Sequence, residues 1–292
     1  MFILKPRSSL AARQRAANFC FLAPALLLFV IFILLPFIQG IPVSLTNWNG
    51  VTVEHGEFVG LRNYVNIFKQ GDFNKAAGVT LLYTLITVTC TNVLGLLLAL
   101  GVQRTGKLNN FLRSVYFMPF VISLILAAYT WRYLYSDIVN IAFGLHSPLG
   151  SMRYALPAVA GIAVWRDAGY AMVVYLAGLQ MVPRDYYEAA EVEGAGAPTR
   201  FFKITLPLIM PSVSANVVLT LAWGLKQFDL VMAATGGGPG KATETLAVVI
   251  YKNIFEFMHA GYGQAAAIVF TVFVAAVSSA VSFLLRRREV EL

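Results

Sequence analysis

The run F-C-F-L-A-P-A-L-L-L-F-V-I-F-I-L-L-P-F-I-Q-G-I, residues 19–41, decides the fold class. It has no charged residue, and about 20 apolar residues are enough to cross the hydrocarbon core of a bilayer. Basic residues precede it, as in a secretory signal peptide, but the apolar region of such a signal is only about 7–15 residues long. The run also contains Pro24 and Pro36. We therefore predict an uncleaved transmembrane helix, preceded by a cytoplasmic segment, residues 1–18.

Five further apolar segments follow along the chain. With the first they make six predicted spans: Phe19–Ile41, Gly78–Val102, Ser114–Trp131, Ala155–Leu179, Ile204–Leu225 and Tyr262–Leu285. A backbone in lipid must satisfy its own hydrogen bonds, which leaves helices and closed barrels. Barrel strands alternate apolar and polar residues, whereas these segments are continuously apolar. The predicted fold class is an all-α membrane protein with six transmembrane helices, in a single domain over residues 19–292.

Composition excludes an ordinary soluble domain. Hydrophobic residues are 58% of the 292-residue chain and charged residues only 12%, against about 25% charged in soluble domains. The net charge of +8 does not indicate nucleic-acid binding, because the basic residues lie between apolar segments and form no tract. Cys20 and Cys90 fall inside apolar segments, and we expect both to be buried apolar filler rather than disulfide partners or zinc ligands.

The distribution of Lys and Arg predicts the orientation. If the N-terminus is cytoplasmic, thirteen of these residues lie in cytoplasmic segments and seven in outer loops. An excess of basic residues marks the cytoplasmic side. Both termini are therefore predicted to be cytoplasmic, with outer loops at residues 42–77 and 228–261 and a cytoplasmic loop at residues 180–203.

That cytoplasmic loop carries charges of both signs and a regular spacing of small residues. Pro183 suits the first turn of a helix, so a short helix is predicted over Tyr186–Val192, ended by Gly194 and Gly196. The loop contains the pattern E-A-A, three residues, Gly, nine residues, I-x-L-P. The residues that make this pattern are Glu188, Ala189, Ala190, Gly194, Ile204, Leu206 and Pro207.

This pattern resembles the EAA motif of ABC importer permeases. The resemblance implies the type I ABC importer permease architecture, in which the loop is a coupling helix that docks in a cleft of an ATPase subunit. Glu188 would then pair with a basic residue of the ATPase, while Ala189, Ala190 and Gly194 would allow close seating. The resemblance also implies a multi-pass protein of the bacterial inner membrane. Its implied partners are a second related permease, two ATPase copies that hold ATP and Mg, and an extracytoplasmic solute-binding protein.

Other segments are similar to the maltose-type carbohydrate permeases. They are residues 58–64, 225–229, 235–239, 243–246 and 261–267. This similarity implies that the solute is an oligosaccharide, a monosaccharide or a related polyol. A non-sugar solute such as glycerol 3-phosphate stays open as the alternative within the same type of importer.

Polar and aromatic residues at membrane depth are candidates for the solute path, because polar groups are costly in lipid. They are Trp165, Arg166, Asp167, Tyr170, Trp223, Lys226 and Gln227, with Asn92 and Asn216 as further candidates. Two alternatives remain: Trp and Tyr also mark membrane interfaces, and polar side chains also bond helix to helix. Neighbouring residues point about 100° apart on a helix. Each of Arg166 and Asp167 is therefore expected to pair with another helix or to face a wet cavity.

A membrane-embedded enzyme is the remaining class of function. It would need a constellation such as paired carboxylates or spaced histidines within the spans. Asp167 is the only carboxylate deep in a predicted span, and no histidine lies in one. No catalytic, cofactor-binding or metal-binding residue is therefore predicted on this chain.

Overall fold

The computed structural model describes residues 7–52, 56–69 and 71–287, and over these residues the chain is helical. Its only extended pairing there is one isolated antiparallel bridge between Thr46 and Phe58. The prediction of an all-α protein is confirmed. The principal helices are α1 (Ala17–Ser44), α2 (Arg62–Lys69), α3 (Gly71–Val102), α4 (Lys107–Val121), α5 (Leu124–Phe143), α6 (Ala155–Met181), α7 (Arg184–Val192), α8 (Ala197–Leu208), α9 (Met210–Leu225), α10 (Asp229–Thr235), α11 (Leu246–Tyr251) and α12 (Ala260–Arg286).

Four helices are long and apolar enough to cross a membrane by themselves: α1, α3, α6 and α12. Two further candidate spans are bent pairs, α4 with α5 at 97° and α8 with α9 at 69°. The described residues therefore hold four candidate spans, or up to six if each bent pair counts as one. The N-terminal basic residue Lys5 and the last basic residue, Arg288, lie outside the described residues.

The two bent pairs correct the sequence prediction, which drew each as one continuous helix. In the first pair α4 contains Pro119 and ends at Val121, and Ile122 is extended (φ −72°, ψ 135°). Ser123 then caps α5, its Oγ accepting the backbone N–H of Leu126 at 3.3 Å. In the second pair Ile209 separates α8 from α9, between Pro207 and Pro211. Proline removes a helical hydrogen bond and its ring clashes with the preceding turn, so helices bend where it occurs.

The described residues fall into two compact units, and the larger one comprises Asn66–Lys252 with the chain from Ala266 onward. Within it α6 packs against α3 and α4, and α9 packs against α3. Small residues permit the close contacts: a Cβ at Gly95 of α3 would collide with Ala171 of α6, and one at Gly169 of α6 would collide with the backbone carbonyl of Tyr116 in α4. The helices of this unit are thus in backbone-level contact.

Hydrogen bonds between helices add to this packing. Asn92 of α3 accepts from the Tyr175 hydroxyl of α6 at 2.6 Å and donates to Thr220 Oγ1 of α9 at 3.0 Å. Asn216 Nδ2 of α9 donates to the backbone carbonyl of Ala171 at 3.1 Å. Asn92 and Asn216, predicted as further candidates for the path, therefore bond helix to helix, which was the alternative left open for such residues.

The smaller unit comprises the chain up to Val65 and the segment Asn253–Ala265. Asn63 Nδ2 donates to the backbone carbonyls of Ser44 and Thr46, each at 2.8 Å. The N–H of Gly261 donates to the Trp48 carbonyl at 2.9 Å. These bonds connect the end of α1 to the segments that resemble the maltose-type permeases. The domain boundaries drawn from the sequence remain a prediction.

The two cysteines contradict the expectation that they are buried, because Cys20 and Cys90 are both exposed on their helices. Lipid is as apolar as a protein core, so a small apolar side chain in a membrane helix can face outward without cost. Neither forms a disulfide.

Candidate functional site

A cavity of about 340 Å³ opens where the bend between α4 and α5 meets the middle of α6 and the end of α9. Its lining residues are Phe120, Leu124, Arg166, Asp167, Trp223, Lys226, Gln227, Phe228 and Asp229. The 97° bend between α4 and α5 lies at this cavity, and Phe120 and Leu124, on either side of the bend, are lining residues. Polar and aromatic side chains from three separate segments thereby meet in one site.

Arg166 and Asp167 form an ion pair at this site, with Nη1 and Oδ1 2.6 Å apart. Their side chains are only 16% and 13% exposed. Arg166 Nε also donates to the Ile122 carbonyl at 3.0 Å, an acceptor that the end of α4 leaves free. The guanidinium carbon lies 4.8 Å from the ring centroid of Phe120. Each of the two charges was expected to pair with another helix or to face a wet cavity; in the structure they pair with each other, and both line the cavity.

Three aromatic rings form one side of the site. The ring centroid of Tyr170 lies 4.9 Å from that of Phe120 and 5.2 Å from that of Trp223. Phe120 and Trp223 are 6.0 Å apart. These separations are within the range in which aromatic rings attract one another. The cluster is a stable apolar wall with Phe120 and Trp223 facing the cavity.

The cavity carries balanced charge. Arg166 and Lys226 are its cations, and Asp167 and Asp229 are its anions. Lys226 and Asp229 are exposed and form no ion pair with the residues that the structure describes. A solute in the cavity would therefore meet both signs of charge beside aromatic faces.

Five of the seven predicted path residues line this cavity: Arg166, Asp167, Trp223, Lys226 and Gln227. Tyr170 stands behind them, its ring against two lining aromatics. Trp165 does not join the site. Its ring packs edge-on against Trp131, with centroids 5.5 Å apart, because neighbouring residues on a helix project in different directions.

Sequence reasoning missed four lining residues: Phe120, Leu124, Phe228 and Asp229. Phe120 and Leu124 flank the bend, and the signal that could have found them is Pro119, which marks a break inside an apolar run. Phe228 and Asp229 directly follow the predicted Lys226 and Gln227 beyond the end of α9. They were assigned to the outer loop because they follow the apolar segment.

The loop that carries the EAA pattern forms a surface helix. Helix α7 begins at Arg184, two residues before the predicted start, since Pro183 is extended and acts as its N-cap. Glu188 and Ala189 are exposed, whereas Ala190 is buried against the rest of the chain. At the end of α7, Gly194 adopts φ +76°, and the N–H of Ala195 donates to the Ala190 carbonyl at 2.8 Å. A left-handed residue that ends a helix favours glycine, which explains this position of the pattern.

The second half of the pattern lies in α8. Ile204, Leu206 and Pro207 are half-buried there. A contact between the Tyr187 hydroxyl and Thr205 Oγ1, 3.0 Å apart, ties α7 to α8. One apolar side chain on each of these helices is exposed, Val192 of α7 at 90% and Phe202 of α8 at 66%. The pattern therefore builds one connected surface with exposed apolar and acidic groups.

The glycine-rich segment after α10 forms a tight turn, with positive φ at Gly236 and Gly237. Beyond it Lys241 Nζ lies 2.8 Å from Asp72 Oδ2. This hydrogen bond raises the pKa of Lys241 above its usual value. Both partners are more than half exposed, so the pair contributes little to stability.

Across residues 7–52, 56–69 and 71–287, no three His, Cys, Asp or Glu residues cluster to hold a metal ion.

The described part of the chain is all-helical, with candidate membrane spans, a polar and aromatic-lined cavity between helices, and an exposed short helix that carries the EAA pattern. The chain belongs to the family described as binding-protein-dependent transport system inner membrane component, whose sequence profile matches residues 91–290. It is therefore a membrane component of such a transport system, and the resemblance drawn from the EAA pattern is confirmed.

Individual relatives agree with this assignment. The multiple sugar-binding transport system permease protein MsmF of Streptococcus mutans is 32% identical over 265 residues, covering 88% of this chain and 91% of that protein. The trehalose/maltose transport system permease protein MalF of Thermococcus litoralis is 31% identical over 279 residues, covering 91% and 92%. A chain of a bacterial alginate ABC transporter, solved in complex with an alginate pentasaccharide-bound periplasmic protein, shares the fold with a TM-score of 0.78 at 20% identity, covering 96% of each chain.

Proposed function

We propose that this chain is one of two membrane subunits of an ATP-driven importer that brings a carbohydrate into a bacterial cell. In this proposal it crosses the inner membrane six times, with each bent pair counted as one span and both termini in the cytoplasm. Lys and Arg are more numerous in the segments predicted to lie on the same side of the membrane as the N-terminus, which supports this orientation.

The observation that carries the choice of solute is the lining of the cavity. Binding sites for small molecules combine aromatic or apolar walls with a few placed polar groups. Here Phe120 and Trp223 supply flat faces, while Gln227 and the charged pair supply hydrogen bonds. Sugars match this combination, because their rings have apolar faces and their hydroxyl groups both donate and accept. The names of MsmF and MalF refer to sugars, which supports a sugar as the class of solute.

The alternative solute, glycerol 3-phosphate, is less well matched. A phosphate ester carries about two negative charges and needs an excess of cations around it. The cavity has two cations, Arg166 and Lys226, against two carboxylates. Arg166 is already paired at 2.6 Å. Balanced charge therefore favours a neutral solute.

The proposed partners are a second related permease, two copies of an ATPase and an extracytoplasmic binding protein. ATP and Mg would be held by the ATPase, not by this chain. Helix α7 would dock on the ATPase through its exposed face around Glu188 and Ala189. Closure of the two ATPase subunits would move α7 and α8 together, since Tyr187 and Thr205 join them, and would open the cavity towards the binding protein.

Purification of the tagged chain from its native membranes tests the assembly. Mass spectrometry of the purified material is expected to find an ATPase and a second permease in stoichiometric amounts. Glu188→Lys should reduce the recovered ATPase about tenfold or more, because it places a cation against the basic partner site. Asp137→Lys makes the same charge change on an exposed residue near the far end of α5 and should leave recovery unchanged. If the chain is recovered alone, both unchanged and with Glu188→Lys, the proposed assembly is refuted.

Uptake into proteoliposomes that contain the whole complex and its binding protein tests the solute class. The labelled solutes are maltose, raffinose, glycerol 3-phosphate and histidine. At least one sugar should enter in an ATP-dependent manner, and Trp223→Ala should reduce that uptake about tenfold at low solute concentration. Trp165→Ala removes the same side chain outside the cavity and should have little effect. Uptake of glycerol 3-phosphate or histidine alone would contradict the proposal.

A further inference from the structure

A second cavity lies between the start of α9 and the end of α12, and the transport proposal makes no use of it. Its volume is about 410 Å³. It is lined by Pro211, Ser214, Ala215, Val218, Leu219, Ser282 and Arg286. None of these residues lines the cavity at the bend between α4 and α5. We call it the lateral groove, because its residues lie along the sides of two membrane helices.

One end of the lateral groove is polar. Ser282 and Arg286 lie four residues apart on α12, so they share one face of that helix. Arg286 forms no ion pair with any described residue. Its neighbour Arg287 is directed elsewhere, with the guanidinium carbon 4.2 Å from the ring centroid of Phe283. Arg286 is therefore the one cation among the residues that line the groove, and it has no ion-pair partner among the described residues.

Two serine hydroxyls, one in the groove and one further along α12, lack partners among the described residues. Ser214 lines the groove, is only 5% exposed, and its Oγ has no hydrogen-bond partner among the described residues. Ser278 Oγ is also buried and unpartnered, and it lies one turn deeper on the face of α12 that carries Ser282. Buried hydroxyls are nearly always bonded, so a ligand with acceptor oxygens is expected at the groove.

The other part of the lateral groove is apolar. Ala215, Val218 and Leu219 are three and four residues apart on α9 and share one face. From Pro211 to Leu219 the helix rises about 12 Å, which takes the groove from its polar end into the hydrocarbon region. A ligand that fills both parts of the groove therefore combines an anionic head with an apolar chain.

We infer that the lateral groove binds an anionic phospholipid. Its phosphate lies on the guanidinium of Arg286 and accepts hydrogen bonds from Ser214 and Ser282, and one acyl chain runs along Val218 and Leu219. Basic pockets between membrane helices are known to hold anionic headgroups. In the orientation proposed above, the lipid belongs to the cytoplasmic leaflet. Bound there, it would hold the end of α12 against the start of α9, directly after the α8–α9 bend.

Native mass spectrometry of the purified complex tests this inference without any transport measurement. The complex, delipidated in mild detergent, is mixed with dioleoylphosphatidylglycerol or with dioleoylphosphatidylcholine. Retention of phosphatidylglycerol is expected to exceed that of phosphatidylcholine and to fall about fivefold or more in Arg286→Gln. Arg287→Gln removes the same charge from the adjacent residue, outside the groove, and should retain the lipid as the unchanged protein does.

Two further measurements distinguish a lipid phosphate from free inorganic phosphate, and a bound lipid from a bound protein helix. Inorganic phosphate at millimolar concentration should not displace phosphatidylglycerol, and Val218→Trp, which fills the apolar part but keeps Arg286, should also lose the lipid. Equal losses in Arg286→Gln and Arg287→Gln would overturn the inference, as would displacement by inorganic phosphate. Cross-linking of a photoreactive residue at position 219 to the second permease, instead of to lipid, would assign the groove to a protein helix and overturn it too. Since the assay measures lipid retention by the purified complex and not transport, its failure would leave the transport proposal untouched.

Discussion

Arg166 and Asp167 are two opposite charges at membrane depth that are satisfied mainly by each other. The 2.6 Å ion pair, the bond from Arg166 to the Ile122 carbonyl and the ring of Phe120 surround the guanidinium. Charged residues in membrane spans are expensive unless paired or wet. Here both conditions hold, because the pair also faces the cavity. It can therefore serve as a polar surface for solute without leaving a charge in lipid.

Removing both members of this pair should cost less than the sum of the costs of removing each one alone. Arg166→Gln leaves the carboxylate of Asp167, whose side chain is only 13% exposed, without its cation. We expect a loss of about 1–3 kcal/mol in the free energy of unfolding, seen as a lower thermal midpoint in detergent. Asp167→Asn should show a loss of the same kind. The double variant should lose less than the sum of the single losses, since the two residues interact directly. Strict additivity would show that the pair is energetically irrelevant.

Helix α6 is the element on which the larger unit depends, because it contacts both α3 and α4 along its length. Its small residues set the distance to its neighbours. Gly169 faces the backbone of Tyr116, which cannot move aside as a flexible side chain could. The bend of α4 lies just beyond this contact, so the contact also helps to position Phe120 and the cavity wall.

A pair of glycine substitutions in α6 tests this role. Gly169→Ala should lower the free energy of unfolding by about 1–3 kcal/mol, because the added methyl group collides with the Tyr116 carbonyl. Gly161→Ala is the matched control in the same helix. A Cβ at Gly161 would find its nearest neighbour, the Tyr135 hydroxyl, at 4.0 Å. That variant should gain up to about 1 kcal/mol from helix propensity. Thermal unfolding of both in one detergent compares them, and equal stability of the two would argue against the contact.

At the scale of the whole molecule the open question is how the chain is oriented. Four helices are long and apolar enough to cross by themselves, and the two bent pairs, if each crosses once, would bring the number to six, an even number that would leave both termini on one side. The basic residues favour the cytoplasm for that side. Lys107 at the start of α4 and Lys241 beyond the glycine-rich turn are exposed and would then face opposite compartments.

Cysteine labelling in intact cells checks the orientation. In a background with Cys20→Ser and Cys90→Ser, Lys241→Cys should react with a membrane-impermeant maleimide added outside. Lys107→Cys should react only after the inner membrane is permeabilised. The expected labelling ratio between intact and permeabilised cells is near one at position 241 and near zero at position 107. The reverse pattern would mean an inverted chain, and labelling of both positions from outside would mean an even number of crossings between them.

Much of the fold was predictable because hydropathy and motif spacing are local properties. Apolar runs located all the candidate spans, and Pro183 with Gly194 located the start and end of α7 to within two residues. The bends were not predicted, although Pro119 and Pro207 were visible. A proline only weakens a helix locally, and whether the chain then continues or turns by 97° depends on what packs against it.

By itself, the sequence determined the class of protein: a helical membrane protein with an EAA loop, since lipid demands long apolar helices and the loop motif is a contiguous pattern. It also placed five of the residues that line the cavity. Only the tertiary structure decided that Trp165 turns away to Trp131, that Phe120 and Asp229 enter the site, and that Arg166 pairs with Asp167. Those outcomes depend on how each helix is rotated and bent against its neighbours, which no single segment encodes.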